Sequence, residues 1–170
     1  MDAKASMVAE FEHEAVATRR LIALAPEDKF AWKPHAKSMS LATLIGHLAE
    51  LPSWGPMTIN MEILEFSTKD FKPRDHGSLA DILELHDKNV AEYLKVLAAT
   101  SDEVLDKNWK LKVDGQIVVD FPRWQVLRGF VHSHTVHHRG QLTVYLRLLD
   151  VPLPSTYGPT ADNPGFGGSK

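Results

Sequence analysis

No cysteine occurs in the 170 residues, which removes disulfides, thiolate metal ligands and a cysteine nucleophile together, so any thiol used here must arrive with a ligand. No apolar run is long enough to span a bilayer. The first residues carry charges throughout (Asp2, Lys4, Glu10, Glu12, Glu14, Arg19, Arg20) and hold no uninterrupted apolar stretch of a secretory leader, so the expectation is a cytoplasmic protein with no membrane partner. Positive charge is not in excess either. The formal net charge is -3 with histidines neutral, which gives no field to attract a phosphate backbone, and nucleic acid is not an expected partner. Neither a Gly-x-Ser-x-Gly elbow nor a phosphate-cradling glycine loop occurs, and there is no internal repeat.

What is present is enough apolar residue, 44%, to bury one continuous core, and the expectation is a single domain over 1–170. Val8, Phe11, Ala15, Thr18 and Ile22 recur at helical spacing from about Ser6 to Ala25. Pro26 to Ser38 reads as an irregular crossing that packs Phe30 and Trp32 on a bundle end. Ser40 can cap a second helix striped by Leu41, Leu44, Ile45, Leu48 and Leu51. Pro52 and Pro56 predict a kink or restart before a segment Met57 to Phe66. Residues 67–77 read as a loop, and Ser78 caps a third helix to about Ala99. The alternation of WKLKV, the Asp114-Gly115 turn and the β-branched IVV predict a short hairpin between Trp109 and Val119. A long fourth helix follows from Pro122 to Leu149, and Pro152 to Lys170 reads as a tail or a packed irregular arm. The fold class is therefore all-α, a four-helix bundle with a short β-hairpin before the last helix.

Four of the nine histidines crowd into HSHTVHH, residues 132–138. At about 100° per residue, His134 and His138 fall in the middle of the stripe made by Leu127, Val131, Leu142 and Tyr145 and point into the core. On the same reckoning His137 sits on the shoulder and His132 points outward. Two imidazoles one turn apart on one face can share an ion, as in helical zinc motifs. His47, at the edge of the second helix's stripe beside Leu44 and Leu51, is the candidate third ligand, because bundle cores build metal sites from facing helices. A buried histidine is otherwise a hydrogen-bonded core residue, but an i, i+4 pair among aliphatics is harder to satisfy that way. Three neutral imidazoles suit Zn, Ni or Fe(II) and leave a position open. His86 falls mid-stripe on the third helix as a fourth ligand, an outer partner of the site or a satisfied core residue. His13, His35 and His76 read as surface or loop residues. A di-iron carboxylate bundle is excluded, since its only Glu-x-x-His pair, Glu10 with His13, points away from the core and the last helix brings no glutamate.

GHLAEL around His47, HTVHHRGQLTVYLRLLDVPLP from His134 and the later STYGPTAD resemble the DinB-like family of bacterial metal-binding helical bundles. The resemblance covers nearly the whole chain and puts the family's three metal histidines on His47, His134 and His138. It implies a metal-dependent enzyme, with a thiol-dependent S-transferase acting on a small electrophile as the leading expectation. The wider superfamily uses low-molecular-weight thiols such as bacillithiol, mycothiol or glutathione, and the absence of cysteine fits a borrowed thiol. A non-catalytic metal- or ligand-binding stress protein is the alternative. The expected partners are a small-molecule substrate and a second copy of the chain in a homodimer. Arg139 and Gln141 match the family's motif: Arg139 pairs with a carboxylate such as Glu50, meets a ligand, or is a solvated flank.

Overall fold

The computed structural model describes residues 3–69 and 76–165. Helix α1 runs Ala3–Ile22 and buries Phe11, Ala15, Thr18 and Ile22, four residues of the expected stripe. Phe30 and Trp32, in the crossing that follows, pack against the main core. Ser40 then accepts from the backbone N–H of Thr43 at 3.1 Å and starts α2, Leu41–Glu50, as an N-cap should. A 3-10 turn at Leu51–Ser53 holds Pro52, and α3 restarts at Trp54 and ends at Asn60. Pro56 falls in the first turn of α3, where a helix has no use for the missing N–H.

The segment expected to run helically to Phe66 does not do so. Ile63–Phe66 is instead strand β1, paired parallel to a later strand with Ile63 opposite Lys110. Ser78 opens α4, Leu79–Ala99, with a reciprocal capping box to Asp81. The expected loop 67–77 lies partly outside the described residues. A short α5, Asp102–Asp106, precedes β2, Asn108–Val113, and β3, Gln116–Pro122. These two form the expected hairpin, and positive φ at both Asp114 (48°) and Gly115 (79°) is the geometry that Asp-Gly suits. The sheet order is β1-β2-β3.

The last helix is not the single α-helix expected. It begins as α6, Arg123–Val126, widens into a π-helical segment at Leu127–Ser133, and continues as α7, His134–Leu148. Arg123 ties this start to the rest of the fold. Its guanidinium donates to the carbonyls of Thr58 (2.9 Å) and Met61 (3.0 Å) at the end of α3, and to those of Lys107 (3.2 Å) and Asn108 (3.1 Å) entering β2. Helix ends leave such carbonyls without intrahelical partners.

Around the bundle, α1 packs on α4 and α7, and α2 packs on α4 and α7. Helix α2 and helix α7 are therefore neighbours, which brings His47 opposite the histidine pair. Among the described residues no helix is long and apolar enough to cross a membrane.

Candidate metal centre

His47 projects from the fourth-from-last position of α2, and His134 and His138 from the first two turns of α7. Their ligand atoms all lie within 4.8 Å of one another, and among the described residues they are the one group of three such side chains that could hold a metal ion. His47 meets both partners edge-on, with ring centroids 5.1 Å from His134 and 4.6 Å from His138. His138 is buried, while His47 and His134 keep partial exposure, so the cluster reaches the surface on one side.

Burial holds all three rings in the neutral form. Desolvation is the leading cause at each, reinforced by the neighbouring imidazoles, and it pushes His47 down to about 4. His134 and His138 are lowered from the same chief cause. Neutral imidazole is the metal-binding form.

The outward hydrogen bonds of the pair fix how they face each other. His138 Nδ1 lies 2.7 Å from Gln141 Oε1, and the His134 ring bonds the backbone of Phe130 in a way that raises its pKa, so it donates to that carbonyl. With both protons turned outward in this way, the two Nε2 atoms, 2.9 Å apart, would face each other as lone pairs. Two lone pairs at that distance repel unless a cation joins them. The donor set and its geometry therefore fit a divalent ion of borderline softness.

Four expectations need correction or completion. His132 does not point outward; it is 1% exposed, and its Nε2 lies 2.9 Å from the Tyr93 hydroxyl. The π-helical segment spends an extra residue on its turn, so an α-helical count from Leu127 assigns His132 the wrong side. His76 is a loop residue but not a surface one. Its side chain is 9% exposed, and its ring lies so close over Gly46 that a Cβ there would meet Cδ2 at 2.0 Å. That close approach requires glycine beside His47. His76 Nε2 is 4.0 Å from Glu50 Oε2, and His76 is the least of the neighbours that help lower His47.

Arg139 pairs with a carboxylate, as one of its expected roles had it, though not with Glu50, and is no solvated flank. It is 2% exposed and forms an ion pair with Glu14, donates to the Glu14 carbonyl at 3.0 Å and contacts Tyr157, whose ring centroid is 5.1 Å from the guanidinium. His86 is buried, with Nδ1 3.4 Å from Asp87 Oδ1, and stands outside the ligand group.

The same two helical stretches also bring a pair of aromatic rings together. Trp54, seven residues beyond His47, stacks on Phe130, four residues before His134, with centroids 6.4 Å apart and planes 23° apart. His13 and His35 are exposed, as expected.

A helical bundle whose neighbouring helices converge three imidazoles is the class that fold and site define. The chain belongs to the DinB family, whose model matches residues 1–164. Similar solved structures include a DinB-like protein of Bacillus subtilis, with TM-score 0.66 and 19% identity over 87% of this chain and 96% of that one. A DinB-like protein of Bacillus cereus gives 0.66 and 16% over 89% and 95%. YfiT of Bacillus subtilis gives 0.67 and 12% over 89% and 90%, and is described as "a probable metal-dependent hydrolase with an unusual four-helix bundle topology". At these identities the likeness establishes the fold. Among curated proteins no match was found.

Proposed function

We propose that the protein is a metal-dependent enzyme acting on a small-molecule electrophile, with His47, His134 and His138 as the protein ligands of a Zn, Ni or Fe(II) ion. The carrying observation is the convergence of three neutral imidazoles within 4.8 Å at a place where two of them reach solvent. A divalent ion held there supplies a small nucleophile, a water or a thiol, in deprotonated form near neutral pH. The chain's own residues do the rest. Gln141 and the Phe130 carbonyl orient the rings, and the Trp54–Phe130 stack gives an apolar surface for the substrate.

Of the two nucleophiles the thiol is the leading reading, because the resemblance to the superfamily points to thiol-dependent S-transfer; with no cysteine in the chain, that thiol would arrive with a ligand. Hydrolysis is the second reading, favoured by the description of YfiT. The test has two stages. Elemental analysis of protein purified without a histidine tag should give close to one equivalent of metal, falling sharply in His47→Ala. The metal-loaded protein is then assayed with bacillithiol, mycothiol or glutathione plus a chromogenic electrophile, and separately with activated esters and amides. Thiol-dependent turnover supports transfer, and thiol-independent turnover supports hydrolysis. No turnover, together with a lower melting temperature on metal removal, would leave a binding bundle stapled by its ion. Absence of metal under every reconstitution would overturn the site.

A further inference from the structure

His137 and His138 are adjacent, yet only His138 belongs to the trio. Gln141 touches both. From a helix position three residues after one and four after the other, its side chain lies on the same face as each. Its Oε1 is 2.7 Å from His138 Nδ1, and its Nε2 is 3.1 Å from His137 Nε2. The two ends differ chemically: the amide oxygen only accepts and the amide nitrogen only donates. His138 must then carry its proton on Nδ1, which turns the Nε2 lone pair toward His134. His137 must offer its Nε2 lone pair to the amide, which keeps that atom from any ion.

We infer that Gln141 is a positioning residue that sorts the two adjacent histidines, fixing His138 in the tautomer that ligates through Nε2 and occupying the competing nitrogen of His137. The consequence for metal affinity rests on the trio being the metal site, as proposed above; the tautomers themselves do not. Groups that hold a ligating histidine from behind typically alter metal affinity 10–100-fold. Gln141 is exposed, so water can partly replace it, and the effect belongs at the lower end. The reverse amide orientation makes the opposite prediction. It would donate to His138 Nδ1 and leave the proton on Nε2, bonded to His134 across the 2.9 Å gap.

The experiment reads the tautomers of metal-free, 15N-histidine-labelled protein by long-range 1H–15N correlation near pH 7.5, and separately measures Zn and Co(II) affinity by chelator competition. The parent should show His138 protonated on Nδ1. Gln141→Leu should give mixed tautomers at His138 and weaken metal binding about tenfold. Gln141→Glu keeps an acceptor but loses the donor. It should restore the His138 tautomer and bring affinity to within about threefold of the parent, while His137 stays altered; a purely steric role predicts no such split. A parent with His138 protonated on Nε2, or an unchanged His138 tautomer in Gln141→Leu, would overturn the inference. Should the parent bind no metal while His138 carries its proton on Nδ1, the sorting stands and the metal reading falls; metal binding with an unchanged tautomer in Gln141→Leu gives the reverse.

Discussion

Helix α7 carries two polar clusters that start from adjacent residues, His138 and Arg139, and they are completed in opposite ways. Around Arg139 the partners close the valences. Glu14 supplies a carboxylate and a carbonyl, Tyr157 donates to that carboxylate at 2.6 Å, and the arm after α7 covers the group. Around His138 the outward nitrogen is satisfied, whereas the inward nitrogens of three neutral rings converge on one another at the surface. A buried charge tolerates no vacancy, so its cluster must be self-sufficient. Neutral bases can be gathered incompletely at modest cost, and that incompleteness is what makes a binding site.

The largest expected effect breaks the closed cluster. Arg139→Ala strands the Glu14 carboxylate in the core and should cost about 3–5 kcal/mol in urea unfolding, with unchanged metal per folded molecule. A loss below about 1 kcal/mol would show that the cluster is not closed as described. Breaking the open cluster should give the complementary result. His138→Ala should weaken metal binding beyond the roughly 100-fold upper range of outer-sphere changes, while the chelator-treated protein keeps its stability to about 1 kcal/mol. Chelator should lower the melting temperature of the parent and leave that of the variant in place.

Acid sharpens the contrast more gently. The folded pKa values of His47 and His132 are pushed from the ordinary 6.5 to about 4, so between those limits the unfolded chain binds more protons. Stability from these groups is complete above pH 6.5 and lost as pH falls toward 4. Metal-free protein should lose roughly 2–4 kcal/mol between pH 7 and pH 5 in urea titrations, the buried His132 contributing more than the partly exposed His47, and a flat profile would contradict their burial as neutral rings. The smallest effect is expected of Tyr157→Phe, about 1 kcal/mol for one hydroxyl. The same variant should leave metal affinity unchanged in chelator competition.

Features confined to one element were legible in the sequence. The serine caps at Ser40 and Ser78, the Asp114-Gly115 turn and the i, i+4 placement of His134 and His138 each follow from local spacing, and the trio that spacing and resemblance selected is the one the fold gathers. Partnerships across the chain were not. Glu14 meets Arg139 across 125 positions, and β1 finds β2 by a parallel pairing that no turn signals. His76 reaches Gly46 from the end of another loop. The side of the helix that His132 faces failed for a different reason, because periodicity assumes a uniform turn and the backbone does not keep one.

That irregular winding at Leu127–Ser133 sets the bearing of everything after it. An α-helix turns about 100° per residue, so winding the same seven residues as regular α-helix would swing His134 and His138 off the face opposite His47. A change that improved the local hydrogen-bond ladder would thereby dismantle the centre. The compass heading of the two rings is stored upstream of them, in a length of chain that contributes none of the three imidazoles.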